Sequence, residues 1–352
     1  MKKNTTRAFV LLLLTFPFMV SGQNDKDLET YTKEKNKEFP SSEFSRVEID
    51  NKHGDVSFTA WSKDSIRIDA LVTVKAQDSE AGKKIMDFIT LETIENNERI
   101  RFRTVFSDEF YSPHPFSIRY EVYLPANHEM KITNRFGNID IASATGRMEI
   151  DLEHGDFKQT GMGVVDELKG RFAFADVQIG SFRNANIELN NAGLTLDDAE
   201  NAEIKGKYCQ IDIGSAGKLT VKTHTGRLNA GNVQELKING TFSFVSIDEI
   251  KRKGQIEIDN GLLMIASINK QLKELSVNNN NAPINISIPS SLAYTLHGEV
   301  TNGQFRHYHP NEIKIIKDME KTSFSGGHST QKKQRGSTIV LFNKNAGINI
   351  KE

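Results

Sequence analysis

The sequence predicts an all-β protein: a β-solenoid, parallel β-helix-like, with coils of about 17 to 19 residues and an N-terminal antiparallel β cap that contains one short helix. Three observations predict it. Segments beginning at Ile132, Ile150, Leu168, Ile187, Ile204, Val221, Ile238, Ile256 and Leu275 follow one another at that nearly constant spacing. Apolar residues recur seven and nine positions after each start, and same-face neighbours two apart mark a strand. A small or turn-tolerant residue recurs five positions on, where a tight corner is expected.

The chain opens with MKKNTTRAFVLLLLTFPFMVSG, residues 1–22, a basic start (Lys2, Lys3, Arg7) followed by an apolar stretch and then by small residues. This pattern is that of a cleaved secretory signal peptide rather than a membrane span. No second apolar run reaches membrane length, so the expectation is an exported chain, periplasmic or at the cell surface, with no integral membrane segment after cleavage. Removing three positive charges from 45 lysines and arginines leaves 42 against 46 acids, a net charge of about −4. That balance recruits no nucleic acid. The single cysteine, Cys209, excludes an internal disulfide framework.

Residues 23–43 begin with the polar QNDKDLETYTKEKNKE, which reads as a flexible leader. Residues 44–131 lose the coil period. There SIRIDALVTV, ERIRFRTVF and FSIRYEVYLP read as antiparallel strands, and Ser79 to Ile89 as a short helix with Ala81, Ile85 and Ile89 on one face. Such a block caps the open edge of the first coil.

Within 132–350 the period holds as far as Leu292, loosens there, and is recovered in the closing IVLFNKNAGINI, where Leu341 is followed at seven and nine by Ile348 and Ile350. Seven residues after each start stand Ile139, Phe157, Ala175, Leu194, Ile211, Leu228, Val245, Leu263 and Ala282, and nine after, Ile141, Val177, Leu196, Ile213, Ile247, Ile265 and Ile284. The column twelve on includes Ala144, Met162, Ala199 and Ala216, and slips at the Leu168 repeat. The corner column holds Gly137, Gly155, Ala173, Ala192, Cys209, Gly226, Ser243, Gly261 and Asn280, so Cys209 is a small buried filler. One position earlier come Phe136, His154, Phe172, Asn191, Tyr208, Thr225 and Phe242, with His53 in the earlier copy IDNKHGDV. The two His-Gly-Asp stretches therefore read as rungs of a ladder of flat rings, not as an imidazole oriented by a carboxylate. Coils stacked at ~4.8 Å make a rod of about 40 Å. The composition of residues 324–337, FSGGHSTQKKQRGS, is that of a loose basic loop.

With its signal peptide, the opening VEIDNKHGDVSFTAW, the central YEVYLPANHEMKITNRFGNIDI and the closing NAGINI, the chain resembles a secreted bacterial "putative-adhesin" family of unknown function with β-solenoid repeats. The resemblance covers residues 44 to 350. It implies an envelope protein with a surface-binding role and carries over no catalytic residue.

Several constellations are candidates for chemistry. The outward column eight residues after each start includes Asp176 and Asp212, two coils and hence about 9 to 10 Å apart, a separation that holds a water between two carboxylates. Lys205 with Lys222, and Lys207 with His224, occupy matching positions of neighbouring coils and form a basic strip suited to acidic glycans or phosphates. His307 and His309 project to one side if their segment is a strand, but no third metal ligand accompanies them. The calcium-binding nonapeptide repeat of other solenoids is missing. No cofactor is implied. The sequence thus points to an exported, non-enzymatic, adhesin-like protein that binds an envelope polysaccharide or a surface protein through a solenoid face. A polysaccharide hydrolase or lyase on the same scaffold, and a structural or sensory envelope protein, are the alternatives.

Overall fold

The computed structural model describes residues 28–161, 163–328 and 336–352; the segment read as a signal peptide and Met162 lie outside the described residues. The protein is all-β, with one α-helix and one short 3-10 turn among the described residues.

The N-terminal part comprises β1 (Glu29–Pro40), β2 (Arg46–Lys52), β3 (Val56–Ala60), β4 (Ser65–Ala76), α1 (Ser79–Asp87), β5 (Ile89–Asn96), β6 (Arg99–Phe106) and β7 (Phe116–Leu124). The helix matches its expectation. It starts where the Asp78 side chain accepts from the Ala81 N–H at 2.8 Å and buries Ile85 and Met86. Two expectations are corrected. Residues 29–40, assigned from composition to a loose leader, form β1, which pairs antiparallel with β4 from Glu29↔Ala76 to Pro40↔Ser65. Only every fourth residue of β1 is half-buried, at Tyr31, Lys35 and Phe39; the rest is exposed and polar or charged apart from Pro40, as befits an edge strand. The coil period is also not lost before Lys131. β2 and β3 form a complete coil, whose strands run parallel to those of the coil formed by β6 and β7.

The middle of the rod holds β8 (Glu129–Arg135), β9 (Ile139–Ala142), β10 (Arg147–Glu153), β11 (Phe157–Thr160), β12 (Val165–Ala173), β13 (Asp176–Asn190) and the continuous β14 (Gly193–Ile268). Their ladders are parallel and in register, Ile132↔Ile150 and Ile187↔Ile204 being examples, so the architecture is β-solenoid-like. The inward side chains form one apolar core, with Ile132, Ile150, Ile187, Ile204, Val221 and Ile256 buried. Each such burial contributes about 1.5–3 kcal/mol.

The C-terminal part adds β15 (Glu274–Asn280), β16 (Ile284–Ser287), β17 (Tyr294–Thr301), β18 (Phe305–His307), β19 (Ile313–Asp318), β20 (Lys321–His328), β21 (Ser337–Lys344) and β22 (Ile348–Lys351). Part of the basic stretch read as a loop is strand: Phe324 to His328 belong to β20, with Phe324 buried, while residues 329–335 lie outside the described residues.

The coils are not stacked in chain order. β2 pairs with β6 on one side and β8 on the other, and β3 with β7 and β9. At the far end β21 lies between β15 and β17, and β22 between β16 and β18. The earliest and the latest coil are thus each the second from an end. Antiparallel strands then cover the outer edges: β4 and β5 at the N-terminal end, β20 at the other. The ammonium groups of Lys33 and Lys35 reach the carbonyls of Ile89 (3.0 Å) and Leu91 (2.5 Å), which hydrogen-bonds backbone acceptors of β5.

Two repeats are shifted from the expected register. Gly170, not Leu168, pairs with Ile150 and Ile187, and Val277, not Leu275, pairs with Ile256 and Leu341. In the first, the buried Phe172 ring fills the space that an isoleucine side chain fills elsewhere, and a Cβ on Gly170 would overlap it. Phe172 is therefore core, and Phe174 takes the place in the outer ladder expected of Phe172.

Candidate functional site

The corner of each coil except that of β6 and β7 is built from two residues with different duties. The first has a left-handed backbone: φ is 67° at His53, 60° at Phe136, 58° at His154, 51° at Phe174, 50° at Asn191, 52° at Tyr208, 57° at Thr225 and 50° at Phe242. Its N–H turns toward the next coil, as Phe136 to the Glu153 carbonyl and Asn191 to the Lys207 carbonyl, each 3.0 Å. The second is the small residue. Its smallness serves close approach between coils: a Cβ on Gly137 would overlap the Gly54 carbonyl, and one on Gly155 the Gly137 carbonyl. The expectation that the small column carries the left-handed backbone is thus corrected by one position. Cys209 is in the small column and buried, as expected, and burial raises the pKa of its thiol.

A left-handed conformation costs a non-glycine residue about 1–2 kcal/mol. Stacking offsets it. His53 lies over Phe136 at 5.2 Å and 10°, Phe136 over His154 at 5.1 Å and 5°, and His154 over Phe174 at 4.8 Å and 6°. The carboxylate nearest the His154 imidazole is that of Glu153, at 3.8 Å, and the aspartate of the stretch, Asp156, makes no ion pair with it. The His-Gly-Asp stretch is a ring ladder. At the far end of the rod asparagines replace the rings, with Asn260, Asn281, Asn302 and Asn345 all left-handed and amide bonds from Asn281 to Asn260 (3.2 Å) and from Asn302 to Asn345 (3.0 Å).

Past Phe174 the ladder opens. Asn191 and Thr225 occupy alternate rungs, so Phe174, Tyr208 and Phe242 stand two coils apart with 50%, 57% and 54% of their surfaces exposed. His224 meets Tyr208 and Phe242 edge-on, at 6.3 Å and 6.1 Å. This ridge of rings separates two depressions.

On one side is a groove of about 650 Å³ that spans the coils from Asp151 to Asn239. All four residues of the expected basic strip, Lys205, Lys207, Lys222 and His224, line it. The acids of the groove are neutralised within the protein: Asp151 by Arg171 at 2.8 Å, Glu153 by Arg135 at 3.4 Å, Glu188 by Lys205 at 3.7 Å. Just beyond, Glu149 accepts from Lys131 and Arg46, both at 2.9 Å, and those bonds hold its carboxyl below the usual carboxylate range. Lys207 and Lys222 have no ion-pair partner among the described residues. The uncompensated charge of the groove is therefore positive.

On the other side, Asp176 and Asp212 line a second depression, of about 450 Å³, together with Tyr208 and Gln210. They do not share a column. Asp176 is in register with Gly193, whereas Gln178 pairs with Thr195, one repeat before Asp212. The shift at Gly170 is the cause. Asp212 accepts from Asn229 at 2.7 Å and Gln210 at 2.9 Å, as one rung of a polar ladder.

His307 and His309 are not a ligand pair in this arrangement. The His307 Nδ1 accepts from the His309 N–H at 3.0 Å, and its Nε2 lies 2.9 Å from the Tyr294 hydroxyl, so both ring nitrogens are engaged. Burial lowers the His307 pKa. No group of three metal-ligating side chains occurs among the described residues. No helix among them is long and apolar enough to cross a membrane.

Sequence reasoning missed the buried asparagines two residues before the left-handed position. Asn51 and Asn134 donate to the Gly54 carbonyl (3.1 and 3.0 Å), and Asn279 and Asn343 to the Ala282 carbonyl (3.4 and 3.1 Å). The signal was present, as asparagine three residues before glycine or alanine in NKHG, NRFG, NNNA and NKNA.

Among solved structures, the chain is similar to a "putative cell adhesion protein" from Clostridium sporogenes (10% identity, 91% of this chain and 99% of that one, TM-score 0.20). It is also similar to a "putative adhesin" from Parabacteroides merdae (12%, 71% and 94%, TM-score 0.36) and to a "putative lipid binding protein" from Parabacteroides distasonis (12%, 70% and 96%, TM-score 0.36). Likenesses this low carry no argument about function. No curated protein matches the chain. A family model, however, matches residues 44–351, nearly all of the rod: the chain belongs to the Toastrack DUF4097 family.

Proposed function

We propose that the protein is an exported, non-enzymatic, adhesin-like envelope protein that binds an anionic surface polymer along the groove beside the ring ridge. The observation that carries this reading is the pair of uncompensated cations, Lys207 and Lys222, in a groove whose acids are already paired. A face that is rigid, ridged and several coils long suits an extended chain better than a compact substrate. Export is supported by the basic and apolar pattern of residues 1–22.

The test is to pass a panel of envelope polysaccharides over the immobilised protein and to record both retention and new reducing or unsaturated ends. Retention without cleavage, lost when Lys207→Glu and Lys222→Glu are combined and weakened by salt, is the expected result. Cleavage that disappears in Asp176→Asn with Asp212→Asn would replace this reading with a hydrolase or lyase.

A further inference from the structure

The two ends of the rod are finished differently. At the N-terminal end β1 is an outermost strand, and its exposed positions are polar or charged apart from Pro40. The other outer strand there, β5, has the carbonyls of Ile89 and Leu91 taken by Lys33 and Lys35. Edges of this kind discourage an added strand. At the C-terminal end the outermost strand is β19, which among the described residues pairs with β20 alone. Its sequence is IKIIKD, with Ile315 39% and Ile316 56% exposed, and the fully exposed Met319 follows it.

Side chains alternate along a strand, so the pairing with β20 sorts those of β19. Ile313, Ile315 and Lys317 share the face of the buried Phe324; Lys314, Ile316 and Asp318 share the other, opposite Ser325, Ser323 and Lys321. Lys314 and Asp318 make no ion pair among the described residues, and Lys321, which faces Asp318, is bonded to Glu299 at 2.6 Å instead. Both charges are left for an outside partner.

The strand is complementary to itself. A two-fold axis perpendicular to the sheet sets a second β19 alongside, antiparallel and with like faces together, so the axis passes through a residue. Centred on Lys314 or Lys317 it opposes lysine to lysine, and centred on Ile315 it opposes Lys314 to Ile316 and answers neither charge. Centred on Ile316 it places Lys314 opposite Asp318 of the second copy on either side of the Ile316 pair. On the other face Ile315 then meets the stem of Lys317, and Ile313 meets Met319. This register alone answers both charges.

We propose that β19 is a self-association edge through which two copies of the chain join tail to tail, Lys314 of each copy pairing with Asp318 of the other. Strands are stacked along the rod and β19 is the last of them, so the two sheets continue into one another and the rod is doubled in length. The contact is isologous and closes, because each copy has one β19 and its opposite end is blunted.

The experiment is analytical ultracentrifugation with small-angle X-ray scattering on the purified full chain, up to about 100 µM. Wild type forms a dimer whose maximum dimension is about twice that of the monomer. Ile316→Glu, at an exposed position, sets two carboxylates face to face and is a monomer with the circular dichroism spectrum of wild type. Asp318→Lys turns both ion pairs into repulsions and weakens the dimer about tenfold or more; adding Lys314→Asp to it restores the affinity to within about threefold of wild type. A wild type that stays monomeric at about 100 µM overturns the proposal. So does a dimer that persists in Ile316→Glu, a dimer no longer than the monomer, or assembly beyond two copies. Indifference to Asp318→Lys, or no rescue by the second charge change, overturns the register.

Discussion

The ring ladder can be weighed at its central rung, His154. Its imidazole lies between Phe136 at 5.1 Å and Phe174 at 4.8 Å, while its backbone is left-handed at φ 58°. Two stacked contacts are worth about 0.5–1.5 kcal/mol each. His154→Ala removes both and keeps the strained backbone, so it costs about 1–3 kcal/mol. His154→Gly removes the same contacts but releases the strain, about 1–2 kcal/mol. Part of that gain is offset by the extra freedom of glycine in the unfolded chain, about 0.5–1 kcal/mol. Glycine should therefore sit about 0.5–1 kcal/mol above alanine and still below the wild type. His154→Phe keeps a flat ring in the slot and should stay within about 1.5 kcal/mol of wild type. Urea denaturation of the four proteins, compared by midpoint at constant slope, reads the series directly. Alanine more stable than glycine would refute the strain, and phenylalanine less stable than alanine would refute the ladder.

Neighbouring features carry two further predictions. Gly155→Ala, whose new Cβ would overlap the Gly137 carbonyl, should lower stability by about 1–3 kcal/mol; a denaturation midpoint equal to wild type would show that the coils do not approach so closely there. His53 has a pKa lowered by burial and, secondarily, by Lys52, so the folded state favours the neutral ring. Below the unfolded value of about 6.5 the unfolded chain then binds more protons, and stability is lost as pH falls toward the folded value. Thermal melts from pH 7 to pH 5 should fall less steeply in His53→Phe than in wild type; His307, also lowered by burial, retains part of the slope, and an unchanged slope would exclude His53 as a contributor.

The parts of this structure that were legible in the sequence are those where each coil repeats the last without insertion. From Ile187 through Ile204 and Val221 to Ile238 the steps are all equal, and the apolar columns there are buried as expected. Legibility failed where two residues were inserted, because Gly170 has no side chain to mark the column and Phe172 reaches across to fill it. The same slip placed Asp176 in the column of Asp212. It failed again at β1, because an edge strand that buries only one residue in four has the composition of a disordered leader. The first coil was hidden for a different reason: its neighbours in space, β6 and β8, come from much later in the chain, and periodicity sees only adjacent repeats. The basic strip was found because Lys205, Lys207, Lys222 and His224 all lie in the uniform stretch. That Lys207 and Lys222 lack partners where Lys205 has one depends on acids from other coils, which spacing does not reveal.

The out-of-order stacking of the end coils bears on how such a protein can change over evolutionary time. A repeat duplicated before β2 or after β22 would find no ladder to join there, since both flanks of each of those strands are occupied. Inside the 76-residue run of β14, by contrast, one coil can be gained or lost as a single in-frame block while both ends keep their interlock. Gene duplication can therefore tune the length of the rod, and with it the length of the ridged face, only from the middle outward.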